Sequence, residues 1–200
     1  GIETATGERV RVNRGVICNV TPTQLYTANG LLPQSVVPKK ISDRAGNYKY
    51  GRGNMIIHLA LQKAPNWCSS DLAKVAMLHV SEGLEQTTES LAQVRNGFLP
   101  TRATMAIGQK AAVDPSRVPV GKFSLWIQLH EIPRHLMGDQ AGLIDVTKGW
   151  TYEVKNAYAD RVLAQLETHA PGLESITLNR NVFSPKDLEK MNMNLVGGDP

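Results

Sequence analysis

The sequence predicts an α+β fold, a mixed and largely antiparallel sheet with helices on one face. Three observations predict it. Met55 to Leu61 and Phe123 to Glu131 alternate their side chains with the two-residue period of a strand. Thr151 to His169 repeats Val154, Tyr158, Val162 and Leu166 at every fourth position, the period of one helix face. About seven strand-like and four or five helix-like segments follow one another in irregular order, which is the α+β pattern. The 200 residues, 42% of them hydrophobic, suffice for a real core.

The elements can be justified in order. Ile2 to Ala5 and Glu8 to Val12, joined through Thr6-Gly7, predict a hairpin with glycine in its turn. Gly15 to Val20 is apolar without alternation, the pattern of a strand buried on both faces. Thr21 or Thr23 can cap a short helix from Pro22 towards Ala28, stopped at Asn29-Gly30, and Pro33 to Arg44 predicts a second, amphipathic helix. In the Met55 to Leu61 strand, Met55, Ile57, Leu59 and Leu61 share one face, with Ile56, His58 and Ala60 on the other.

Val75 to Val80 predicts a strand, Gly83 to Arg95 a helix ended by Asn96-Gly97, and Thr104 to Gln109 a short strand. Turns at Asp114-Pro115-Ser116 and Pro119-Val120-Gly121 precede Phe123 to Glu131, where Leu125, Ile127 and Leu129 oppose Trp126, Gln128 and His130. Pro171-Gly172 ends the Thr151 helix. A last strand, Ser175 to Phe183, leads into a helix through Met191 with Ser184 as cap and Pro185 at its first position.

Charge and cysteine narrow the function classes. The net charge of +4 is matched by the stretch from 39 to 52, where Lys39, Lys40, Arg44, Lys49 and Arg52 stand against Asp43 alone. Interleaved with Tyr48 and Tyr50, that stretch has the composition of a nucleic-acid groove. Nothing elsewhere extends the footprint, so nucleic acid is not expected as a partner; an anionic lipid surface or an acidic domain fits the stretch equally. Leu31-Leu32 and Val36-Val37 beside Lys39-Lys40 offer either a peripheral membrane contact or a packed helix with a solvated basic end. The longest nearly apolar run, Met55 to Leu61, is far short of the roughly 20 residues a spanning helix needs. Cys18 and Cys68 make no disulfide framework, so reduced thiols in a cytoplasmic setting are expected, with Cys18 packed in its strand.

Several catalytic signatures can be tested and set aside. His130 and His135 are five apart, roughly 140° around a helix, and Pro133 lies between them, so the zinc-protease pattern fails and no metal is expected. Gly51-Arg52-Gly53 runs into a strand rather than a phosphate-binding helix, and is expected to be a loop needing glycine torsions. What remains is the mixed sheet face. His58, Trp126, Gln128 and His130 project from it, and it either lines a ligand cavity or faces solvent or another domain.

The residues also carry a resemblance. Gly7-Glu8-Arg9-Val10-Arg11-Val12-Asn13-Arg14-Gly15-Val16-Ile17-Cys18-Asn19-Val20-Thr21-Pro22 resembles a segment of FAD-dependent oxidoreductases of the phytoene desaturase and carotenoid oxidoreductase class, and of its phytoene-dehydrogenase-related branch in particular. Supporting stretches are Tyr50 to Gly53 leading into Ile56 to Leu61, Asp114 to Arg117, Tyr158 to Arg161, Ser184 to Glu189, and Asn194 to Asp199.

The resemblance implies a glutathione-reductase-type flavoprotein in two interleaved parts. Residues 1-22 would belong to the FAD-binding part, 23-183 would form the substrate-binding domain, and 184-200 would return towards the FAD part. It implies FAD as cofactor, with Asn19, Thr21, Pro22, Gly197 and Gly198 adjacent to the flavin, and an apolar, carotenoid-like substrate. The family's glycine-rich fingerprint is missing, and the chain opens inside a strand-like run and closes on a Gly-Gly turn. A fragment, inactive alone and partnered by the missing FAD-binding portion of the same polypeptide, is therefore expected. The other reading is a stand-alone binding module that uses the sheet face or the basic stretch.

Overall fold

Two units make up the computed structural model, which describes residues 1–199: Gly1–Lys49 and the residues from Tyr50 onward. In the first unit, β1 (Ile2–Glu3) pairs with β2 (Arg9–Val10), Ile2 opposite Val10, and Gly7 turns the chain at φ +81°, a left-handed conformation that glycine takes without strain. The hairpin is as expected but shorter.

The strand expected over Gly15 to Val20 does not form, and Ile17 is 99% exposed. A strand buried on both faces needs paired neighbours and a layer on each side, and two two-residue strands supply neither. Cys18 is accordingly exposed, not packed. In α1 (Pro22–Tyr26), proline stands in the first turn and Gln24 Oε1 accepts the Thr21 N–H at 3.1 Å. The second helix, α2 (Lys39–Gly46), starts six residues later than expected, with Pro38 as its N-cap. A proline inside the helix would lack a donor and clash with the preceding turn, so Pro33 to Val37 stay outside.

The second unit runs β3 (Gly53–Leu61), β4 (Met77–Val80), α3 (Leu84–Arg95), β5 (Phe98–Leu99), β6 (Met105–Gly108), α4 (Lys110–Val113) and β7 (Phe123–Ile132). There follow β8 (Gly138–Asp139), α5 (Tyr152–Glu167), α6 (Leu173–Ile176), β9 (Thr177–Phe183) and α7 (Pro185–Met191). Five strands form one sheet in the order β4-β6-β7-β3-β9, every neighbouring pair antiparallel, while β5 and β8 make a separate parallel pair. The fold is α+β.

Pairing of β3 with β7 sets Ile57 opposite Ile127 and His58 opposite Trp126. The aliphatic sides therefore coincide: Met55, Ile57, Leu59, Leu61, Leu125, Ile127 and Leu129 are each at most 1% exposed. Against them α5 lays Val154, Tyr158, Ala159, Val162 and Leu166 in one continuous core. Truncating such a residue to alanine costs about 2–5 kcal/mol.

Polar side chains seat α5. Gln165 pairs with the backbone of Ala103 in both directions, accepting its N–H at 3.0 Å and donating to its carbonyl at 3.1 Å. Lys155 donates to Asp187 Oδ2 at 2.8 Å, and that carboxylate also accepts the Ser184 N–H at 2.9 Å in the capping box of α7. Arg161 grips Asp139 through two bonds of 2.6 and 2.7 Å and donates a third, at 3.2 Å, to the Pro100 carbonyl. Across the core, the buried Gln109 accepts the Trp67 indole N–H at 2.8 Å and donates to the Leu72 and Val75 carbonyls.

The residues after α7 fold back onto the start of β3. Asp199 Oδ2 accepts the Gly51 N–H at 2.5 Å. A Cβ on Gly53 would stand 2.8 Å from Pro185 Cβ and 2.9 Å from the Gly197 carbonyl oxygen. Neither Gly51 nor Gly53 has a positive φ, so what they provide is close approach, not the unusual torsions the sequence led us to expect.

The Arg161–Asp139 pair yields a pH dependence. Burial pushes the Asp139 carboxyl up, but the Arg161 guanidinium and the Leu143 and Ile144 N–H groups outweigh it and hold the group below its ordinary 3.8. A depressed carboxyl stabilises the fold above its unfolded pKa, and that stability disappears as pH falls through the folded value, below 3.8. Asp139→Asn leaves Arg161 without its counter-charge and is expected to cost about 3–5 kcal/mol in urea unfolding at pH 7. The difference between the variant and the parent should shrink below about pH 4, where the parent carboxylate itself begins to titrate.

Candidate functional site

The other face of the sheet carries its polar and aromatic side chains, and the register brings the four expected residues together. His58 lies directly across from Trp126, and Gln128 and His130 continue the same side of β7. The Trp126 ring lies over Gly108 of β6, where a Cβ would stand 3.0 Å from Trp126 Cε3. Glycine at that point lets a large flat ring rest on the sheet. Gln128 is nearly buried and donates from Nε2 to Asn54 Oδ1 at 2.5 Å, which fixes its amide.

Two partners escape sequence reasoning. His79 of β4 stacks on His130, centroids 6.4 Å apart and planes 14° from parallel. Lys110, opening α4, holds its ammonium 6.0 Å from the centre of the Trp126 ring. Both depend on strands paired far apart in sequence, and neither belongs to a spacing pattern. His58 also meets Phe183 edge-on, at 6.0 Å between ring centres.

Beside Trp126 is a hollow of about 270 Å³, lined by His58, Lys110, Asn179, Arg180 and Asn181 among others. A second hollow, about 460 Å³, is walled by Ala76, Met77 and Val113 among others, with Gly108, Lys110 and Trp126 shared between the two. Burial lowers the His58 pKa below 6.5 and the Lys110 ammonium lowers it further. The imidazole is therefore neutral at pH 7 and can accept or donate one hydrogen bond.

The residues expected near a flavin are divided between the two units. Asn19 is exposed, and Thr21 and Pro22 are half-buried at the start of α1 in the first unit. Gly197 and Gly198, in the second unit, take φ +72° and +77°. The Gly197 N–H is donated to Glu189 Oε1 at 2.9 Å and the Gly198 N–H to the Leu195 carbonyl at 2.8 Å. A Cβ on Gly198 would stand 2.4 Å from Pro185 Cα, and one on Gly197 2.8 Å from Arg134 Cδ. Both amides are used within the chain and the turn is packed shut. It does not fit a flavin contact through its own donors.

Other features of the sequence are placed as follows. His130 ends on β7 and His135 lies beyond Pro133 in the following loop. Leu31 and Val36 are exposed, Leu32 is half-buried and Val37 buried, so the apolar pairs beside Lys39 do not form one face. Lys39 pairs with Asp43, and Arg52 approaches Glu131 at 3.6 Å, so part of the basic stretch is neutralised locally. No helix among the described residues is long and apolar enough to cross a membrane.

Comparison with known proteins agrees with an oxidoreductase relationship. The whole chain is similar to pyridine nucleotide-disulfide oxidoreductase domain-containing protein 2 of Rattus norvegicus, 24% identical over 208 residues. It is similar at the same identity and length to the protein of that name from Mus musculus. The chain spans 34% of each, about a third of their length. No family model matches it.

The electrostatics of the site can be read directly. In a proton NMR titration, the His58 ring is expected to show a midpoint below 6.5, and Lys110→Met to raise it towards that value. The burial contribution remains in the variant, so the midpoint should not rise above 6.5.

Proposed function

We propose that this chain is the substrate-facing domain of a flavin-dependent oxidoreductase acting on an apolar substrate, of the kind its resemblance to phytoene desaturases implies. The observation that carries the reading is the division of the sheet. One face is closed by α5, while the other presents His58, Trp126, Gln128 and His130, with Trp126 lining two adjoining hollows and His58 the smaller of them. Trp126 supplies a flat apolar wall and His58 a neutral hydrogen-bonding group.

FAD belongs to the proposal through the resemblance and the distant relatives, not through a cradle built by these residues. It would be held by the missing FAD-binding portion of the same polypeptide. The chain spans 34% of the length of its relatives, which supports such a portion. The part of this chain is to bind and orient the substrate and keep water from it. No side chain here is assigned as a catalytic base.

The test uses the product of the whole gene. Purified, it is expected to be yellow and to release flavin on denaturation. Trp126→Ala in that protein should raise KM for an apolar substrate about tenfold or more while flavin content is unchanged, the mark of lost substrate binding. A colourless product would overturn the reading and leave a non-catalytic binding module in its place.

A further inference from the structure

The two hollows share Gly108, Lys110 and Trp126, and their linings together point to a ligand. The smaller one, about 270 Å³, has no carboxylate in its wall; it is lined by the Lys110 ammonium, the Asn179 and Asn181 amides and the neutral His58 ring. Arg180 also borders it, with its guanidinium committed to Asp160. The larger one, about 460 Å³, is walled mainly by Ala76, Met77, Val113 and the Trp126 ring, with Arg117 at its edge beside Asp114. Its single carboxylate, Asp114, is engaged by the Ser116 hydroxyl at 2.6 Å and approached by Arg117 at 3.8 Å.

Lys110 stands where the two meet. Among the described residues its ammonium has no carboxylate within ion-pair distance, unlike Lys39, Lys74 and Lys155. Its neighbour is the face of Trp126, which is itself half-buried. A cation held against an aromatic wall, with amide donors on one side and an apolar trough on the other, is matched by an anionic head on an apolar body. A plain hydrocarbon would leave Lys110 and the two asparagines facing apolar atoms, at a cost in desolvation.

We infer that the open sheet face takes an amphipathic carboxylate, an apolar chain ending in a carboxyl group. The head lies at Lys110 with Asn179 and Asn181, and the chain runs past Trp126 along Met77 and Val113. This deepens the proposed function and rests on the reading of the open face as a ligand wall. It adds a charged head to the apolar body of that substrate.

The test titrates the 200-residue chain with decanoate and, separately, with decan-1-ol, following tryptophan fluorescence. Trp67 and Trp150 are buried, so the response comes from Trp126 and should vanish in Trp126→Phe. Decanoate is expected to bind about tenfold more tightly than the alcohol, a difference of about 1.4 kcal/mol. Lys110→Met should abolish that preference and leave alcohol binding unchanged, while Lys110→Arg keeps it. Equal affinities for acid and alcohol in the parent chain would overturn the carboxylate inference and leave the ligand wall standing. Failure of both ligands to bind would overturn both.

Discussion

The in-register pairing of β3 with β7 is the constraint on which the rest depends. Both strands alternate with a period of two, so opposing their aliphatic residues necessarily opposes His58 to Trp126 as well. A slip of one residue would drive His58 and Ala60 under α5 and push Ile57 and Leu59 into the open. With seven core side chains at stake, each worth a few kcal/mol, only one register is tolerable. The energy that fixes the register is thus entirely on the closed face, and the open face inherits its geometry. His58 and Trp126 are positioned without having to stabilise anything themselves.

The closed face is held by more than apolar contact. Arg161, Gln165 and Lys155 each tie α5 to a different segment, at Asp139, Ala103 and Asp187. The last of these links α5 to α7, and the residues after α7 pack through Gly197 and Gly198 onto Gly53 at the head of β3. Small residues serve on both faces. Gly53 and Gly198 allow backbones to approach, and Gly108 lets Trp126 lie flat beside Lys110. Both hollows open beside Gly108 of β6, where a larger residue would fill the space.

Much of this was legible in the sequence wherever the signal was local. The alternation of β3 and β7, the four-residue repeat of α5, and Ser184-Pro185 before α7 each carry their own period or cap, and each element forms within a few residues of its expected bounds. Gly15 to Val20 misled because hydrophobicity shows that a segment would gain from burial, not that a layer exists to bury it. The amphipathic pattern runs back to Pro33, but α2 begins only after Pro38, because a proline in the helix interior lacks a donor and clashes with the preceding turn. His58, Trp126, Gln128 and His130 could be named together since two strands sufficed to align them. His79 and Lys110 could not, since their positions require β4 and β6 to be placed beside β7. Gly51 and Gly53 were recognisable as special, but close contact and torsion look alike in a sequence.

The functional account therefore rests on a face whose geometry comes from the core behind it and whose chemistry is its own. A neutral imidazole, a flat indole and a cation without a carboxylate surround a space that the fold does not fill. The most direct measurement is a crystal structure of the product of the whole gene with a medium-chain carboxylate bound. The account predicts ligand density against Trp126 and His58, with the carboxyl group at Lys110. Density elsewhere, or an open face packed against protein with no cavity between, would contradict it.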